Sequence, residues 1–197
     1  MTLLRNPRFM RFAGLCGALA PLVSFGLMFY SISISTWFSW QSHALSDLGM
    51  PGRSSAALFN ASLILGAALN IPLILAIRQW LGPARPGPAG TAIALVGTVA
   101  MGLVGVFPAS VIVPHAISAT AYFLLLPAGY ILIGMALWRQ RRRTHGVASI
   151  ATALAAYAVM SLAPHGGVAV SELLSALLLA TRSFAVGLEL WLGDLAG

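Results

Sequence analysis

The side chains of this chain best suited to chemistry are His43, Ser46, Asp47, His115, His165 and Glu172. Imidazole nitrogens and carboxylate oxygens bind metal ions and carry protons, and a hydroxyl beside them can orient a carbonyl. His43 and Asp47 are four residues apart, the spacing that puts two side chains on one face of a helical turn, with Ser42 and Ser46 beside them. His115 follows Pro114, His165 lies between Pro164 and Gly166, and Glu172 comes soon after. Three imidazoles and two carboxylates exceed the three protein ligands of a catalytic zinc site, and zinc or iron would accept such a set. If His115, His165 and either Asp47 or His43 held zinc, its bound water would become hydroxide near neutral pH. Glu172 would then serve as general base, Asp47 would complete the catalytic set, and Ser46 would orient the attacked carbonyl. The plainer reading is structural: a helix cap followed by an exposed His43, His115 capping the start of its helix, His165 in water at a loop, and Asp47 with Glu172 pairing with Arg53. No GxSxG, HExxH or phosphate-loop pattern occurs, so those mechanisms have no support.

The elements that must position these residues are membrane helices. Of 197 residues, 59% are hydrophobic and 8% charged, a balance far from that of a soluble domain. The expected fold is all-α, because an isolated strand in lipid would leave backbone groups unpaired. A helix needs roughly 20 apolar residues to cross the hydrocarbon. Six segments qualify, at about 12–31, 56–78, 89–107, 115–138, 146–163 and 168–191, which makes residues 1–197 a single six-helix transmembrane domain. The first apolar run is too long for a signal-peptide core and reads as a retained span. Arg5, Arg8 and Arg11 precede span one, Arg78 and Arg85 lie in the second connector, and Arg139, Arg141, Arg142 and Arg143 lie in the fourth. The other connectors hold only Arg53. By the positive-inside rule both termini are cytoplasmic and the protein is a multi-pass component of the cell membrane. This topology brings His43, Asp47, His115, His165 and Glu172 to the outer leaflet. The net charge of +7 is thus a topology signal, without the interleaved aromatics of a nucleic-acid stripe, and nucleic acid is not an expected partner.

Residues 31–55 form the longest outer segment. The alternation of serine or threonine with isoleucine at 31–36 reads either as strand-like or as the polar end of span one. Trp37, Phe38 and Trp40 suit the headgroup level, so the segment is expected to lie along the interface as a short helix before turning at Met50, Pro51 and Gly52. Ser171, Glu172, Ser175, Arg182 and Glu189 share one face of span six. Arg182 falls about 15 Å beyond Glu172, near mid-membrane, where an unpaired guanidinium costs at least ~2.5 kcal/mol. Asn60, Asn70, a backbone carbonyl or a lipid phosphate could receive it, and Arg182 and Asn60 are the expected substrate-contacting pair. The asparagines also suit interhelical hydrogen bonding. His145, inside an arginine run, is expected to be solvated. The single cysteine, Cys16, allows neither an intramolecular disulfide nor a cysteine metal site. Haem ligation by His115 and His165 would require both to sit deeper.

Three alternative functions compete for these residues. The first is a metal-dependent lipid hydrolase of the outer leaflet. The second is a non-enzymatic lipid-binding or transport protein, in which Arg182 meets an anionic headgroup. The third is a membrane assembly partner, served by the small residues Gly97, Gly102 and Gly105. Membrane lipid is the expected partner of the first two.

The run Ser46-Asp47-Leu48-Gly49, followed by Phe59-Asn60, Gly105-Val106-Phe107-Pro108, His115 and a glutamate near the start of span six, resembles the six-span family known as domain of unknown function 998. The resemblance covers most of the chain and implies fold and topology. The acidic residue of span six in that family is often followed by a basic one, whereas Leu173 follows Glu172 here. The Ser-Asp-x-Gly pattern is also similar to the Frag and DRAM group, some members of which are tied to lipid remodelling. The Ser, Asp and three-His set is analogous to the CREST superfamily of intramembrane hydrolases, which differ in having seven spans and another motif order.

Overall fold

The computed structural model describes residues 6–83, 85–162 and 168–193, so His165 lies outside the described residues. Each apolar segment read from the sequence becomes a helix: α1 Pro7–Ser33, α2 Ala56–Leu81, α3 Gly87–Val106, α4 Ile112–Arg139, α5 Arg143–Ser161 and α6 Ala169–Leu192. No strand forms among the described residues. The ends are set by local chemistry. Asn6 caps α1, its Oδ1 accepting the Arg8 N–H at 2.9 Å, with Pro7 in the first turn where no N–H is needed. Gly193 stops α6 at φ 92°, a left-handed conformation that glycine adopts without strain.

Five helices, α1 to α4 and α6, are long and apolar enough to cross a membrane. The remaining helix, α5, spans only 19 residues and opens with Arg143, Thr144 and His145. The outer surface is apolar: Leu22 is 60% exposed, Ile112 75% and Leu162 80%. The polar arc of α6 turns inward, burying Ser171, Ser175, Arg182 and Ser183. This inversion of the soluble pattern suits helices solvated by lipid.

Each helix packs on its chain neighbours, and α6 returns to α1, closing a ring of six. The neighbours run antiparallel: Gly14 near the start of α1 meets Gly187 near the end of α6, while Ser24 farther along α1 bonds Ser62 early in α2. Close approach explains the small residues. A Cβ on Gly14 would lie 2.5 Å from the Trp191 nitrogen, and one on Gly97 would lie 2.6 Å from the Leu126 nitrogen. Gly102 and Gly105 lie against Ala67 and Asn60 of α2. The glycines expected to serve an assembly partner are therefore engaged within the ring.

The antiparallel order collects Arg8, Arg11, Arg78, Arg85, Arg139, Arg141, Arg142 and Arg143 at one end of the ring. The opposite end carries residues 34–55. Here α1 continues to Ser33, so the first half of the alternating stretch is helix end, with the Ser35 hydroxyl donating to Ser31 O at 2.9 Å. The short helix expected between spans one and two is a 3₁₀ turn, Leu45–Gly49. Its Leu45 and Leu48 are buried in a small core with Met28, Phe59, Leu63 and Val104, separate from the main core that runs toward the arginine-rich end.

Candidate functional site

The 3₁₀ turn is held by the motif residues themselves. The Asp47 carboxylate accepts the Ala44 N–H at 2.9 Å, closing the turn, and Gly52 at φ 84° redirects the chain toward α2. From the first turn of α6, Glu172 Oε2 accepts the Leu45 N–H at 2.7 Å, and the Ala169 N–H donates to His43 O at 3.1 Å. From α2, Asn60 Nδ2 donates to Gly49 O at 3.1 Å, while the Ser55 hydroxyl donates to Leu48 O at 2.9 Å. A side chain on Gly49 would collide with Asn60 Oδ1, so the glycine is what lets the turn lie flush on α2. Five contacts from three directions thus fix a segment of little regular structure.

The spacing that placed His43 and Asp47 on one helical face does not have that effect, because Ala44 caps the turn and His43 precedes it. The His43 ring sits edge-on to Trp37, with centroids 5.2 Å apart, and stacks on Phe38 at 5.9 Å. Its Nδ1 accepts the Ser39 N–H at 3.2 Å. Arg53 lies 3.8 Å over the Trp37 ring, an aromatic contact in place of the ion pair considered for Asp47 or Glu172. His115, at the start of α4, donates from Nδ1 to Phe107 O at 2.8 Å. In the neutral ring this leaves Nε2 as an acceptor. Among the described residues, no group of three His, Cys, Asp or Glu side chains could share a metal ion.

What the structure does bring together is Ser46, His115 and Glu172, which line one cavity in the centre of the ring. The cavity measures about 90 Å³, several times the roughly 10–15 Å³ needed by one water. Its polar end is this trio; its wall is otherwise largely apolar, including Met28, Leu63, Met101, Val104 and Leu179. It reaches Ser183, about 16 Å from Glu172 along α6 at ~1.5 Å per residue. Asp47 and His43 are not among its lining residues.

Arg182 belongs to another part of the bundle. It is 8% exposed, donating from Nε to the Ser149 hydroxyl at 2.8 Å and from Nη2 to His145 O at 3.4 Å, both on α5. Asn60 is taken by Gly49 O, and Asn70 Nδ2 reaches Thr98 Oγ1 at 3.4 Å, so neither asparagine receives the cation. The expected Arg182–Asn60 pair is therefore divided between two ends of the molecule. His145, expected to be solvated, packs edge-on against Trp80 and lies 3.6 Å from Glu189 Oε2. That is within ion-pair range but beyond a hydrogen bond, and Oε2 has no hydrogen-bond partner. The Tyr130 and Ser183 hydroxyls share a buried 2.6 Å hydrogen bond between the central cavity and Arg182. Sequence reasoning missed this pair, since a tyrosine and a serine on separate apolar helices carry no pairing signal.

None of the curated proteins and none of the solved structures matches the chain. A family model does, over residues 18–189, a stretch that takes in the motif contacts described above. The chain belongs to the family described as Protein of unknown function (DUF998).

Proposed function

We propose that this protein is a six-span component of the cell membrane, with both termini cytoplasmic, that binds a membrane lipid from the outer leaflet in its central cavity. The observation that carries the lipid-binding reading is the shape of that cavity, an apolar hollow with Ser46, His115 and Glu172 at one end. The cavity has room for one small part of a lipid, about the bulk of several waters, with a polar group beside the Ser46 hydroxyl and His115 Nε2 and the adjoining carbons among Met28, Leu63 and Met101. The six-span count is supported by connectivity: α4 ends where the arginines collect and α6 begins at the far end, so α5 must traverse the same thickness. Its 19 residues would rise about 28 Å, close to the ~30 Å of hydrocarbon. The orientation rests on the arginine distribution.

The test is lipid extraction from the purified chain beside Ala119→Leu and Ala176→Leu, two substitutions that would fill the cavity. Bound lipid should fall severalfold in both variants while thermal stability is retained. Unchanged lipid content in correctly folded variants would overturn the reading.

Hydrolysis is a second reading, favoured by one observation: a serine, a histidine and a glutamate line the same cavity. A zinc-dependent form would draw on His165 together with His115, with His43 or Asp47 completing the set and Glu172 as base. Elemental analysis of wild type beside His115→Ala tests it. Stoichiometric zinc lost in the variant would support it, and metal-free wild type would remove the zinc-dependent form.

A further inference from the structure

The polar atoms bordering the central cavity divide into engaged and free. The Ser24 hydroxyl donates to Ser62 O at 2.9 Å, the Ser183 hydroxyl bonds that of Tyr130, and Asn70 Nδ2 reaches Thr98 Oγ1. Ser46 Oγ, His115 Nε2 and the second carboxylate oxygen of Glu172 have no hydrogen-bond partner among the described residues. Asn70 Oδ1, on the same wall, is sealed off; these three atoms are not.

The free atoms are chiefly acceptors. His115 Nδ1 lies 2.8 Å from Phe107 O, and a carbonyl can only accept, so Nδ1 carries the proton and Nε2 of the neutral ring offers a lone pair. Glu172 takes the Leu45 N–H at 2.7 Å, a length typical of bonds to an ionised carboxylate, and its other oxygen is an acceptor as well. The Ser46 hydroxyl rotates to accept or donate. A second carboxylate, Asp47, takes the neighbouring Ala44 N–H, so two negative groups grip one turn. Little positive charge answers them. The chain has no lysine, Arg53 is the one arginine of the outer connectors, and residues 163–167 contain neither arginine nor lysine. Arg53 is laid over the Trp37 ring.

We propose that the polar end of this cavity binds a primary ammonium group carried on an aliphatic chain, which names the ligand class of the lipid-binding reading and rests on it. Three N–H donors meet the Glu172 oxygen, His115 Nε2 and Ser46 Oγ, and the charge offsets the carboxylates. An alcohol brings one donor and no charge, and a quaternary ammonium brings charge and no donor. The first few carbons fit the remaining space among Met28, Leu63 and Met101. The same chemistry is offered by the amino end of a long-chain base in the membrane and by a small alkylamine taken from water.

The test measures thermal unfolding of the full chain in neutral detergent micelles, titrated separately with hexylamine, 1-hexanol, hexyltrimethylammonium and sphinganine. A ligand specific for the folded state raises the midpoint with concentration, and a primary amine is charged at neutral pH. Hexylamine, sphinganine or both should raise it, and hexanol and hexyltrimethylammonium should do so at least 10-fold more weakly. A response to sphinganine identifies a membrane source, and a response to hexylamine alone identifies an amine taken from water. Glu172→Gln keeps an acceptor for the Leu45 N–H and should weaken the amine response roughly 10-fold or more, the effect of losing a hydrogen bond between charged groups. Glu189→Gln removes a carboxylate from the other end of α6, outside the cavity, and should leave the response unchanged. Equal responses to hexylamine, hexanol and hexyltrimethylammonium, or equal loss in Glu172→Gln and Glu189→Gln, would overturn the proposal. If neither amine raises the midpoint while co-purifying lipid still falls in Ala119→Leu, the ammonium assignment fails and lipid binding stands. If lipid content is also unchanged, both fail.

Discussion

Glu172 is the residue through which α6 holds the 3₁₀ turn, and replacing it should loosen that segment selectively. The carboxyl oxygen accepts the Leu45 N–H at 2.7 Å, and Leu45 is only 4% exposed, so water cannot readily take over as acceptor. In Glu172→Ala the N–H is left enclosed and unpaired, at a cost of ~1–3 kcal/mol. Glu172→Gln still presents an oxygen at about the same reach and should lose less than ~1 kcal/mol. The remaining ties, from Ala169, Asn60 and Ser55, keep the segment in place, so the effect is local opening and the ring stays folded. Hydrogen–deuterium exchange with mass spectrometry, on peptides covering 37–49 in detergent micelles, reads this directly. Exchange there should accelerate about 5- to 150-fold in Glu172→Ala, the equivalent of that energy, and only slightly in Glu172→Gln, with peptides of α3 unchanged. Unchanged exchange in Glu172→Ala, or equal acceleration in both variants, would refute the clamp.

Gly49→Ala should destabilise the fold by ~1–3 kcal/mol, because its Cβ would collide with Asn60 Oδ1. Adding Asn60→Ala should recover part of that loss in thermal melts, a non-additivity expected of touching residues. Arg182→Met should change stability by no more than ~1 kcal/mol in the same measurement, since the cation's hydrogen bonds go to neutral acceptors, Ser149 keeps its bond to His145 O, and the lost attraction to Glu189 is offset by removing a buried charge. A loss above ~3 kcal/mol would show that Arg182 holds the bundle together. Gly14→Val should sharply lower the yield of folded protein by forcing α1 from α6, whereas Gly26→Val, where a Cβ would meet nothing within 4 Å, should be tolerated when both are compared by size-exclusion profile.

The helical architecture was legible in the order of residues because lipid imposes a one-dimensional rule: a span must be apolar over a set length and must pair its own backbone. Helix limits therefore fall near where Pro83, Pro108 and Arg139 interrupt apolar runs, whereas α1 begins at Pro7 and takes in Arg8 and Arg11. The chain also disclosed that Ser46, His115 and Glu172 belong at one end, since spans of known direction carry them there. What the sequence could not disclose is which of the residues at that end meet. Asp47 and Glu172 each receive a backbone N–H of the 3₁₀ turn, at Ala44 and Leu45, and His43 is enclosed by Trp37 and Phe38. Those outcomes depend on a turn that ends helical spacing at Ala44 and on hydrogen bonds spanning as many as 127 residues of chain. Arg182 shows the same division: its need for an acceptor follows from its depth, but the choice of Ser149 over Asn60 comes from the packing of α5 beside α6. Composition and charge order placed the helices in a membrane. Only the ring's closure decided which polar atoms met a partner and which were enclosed without one.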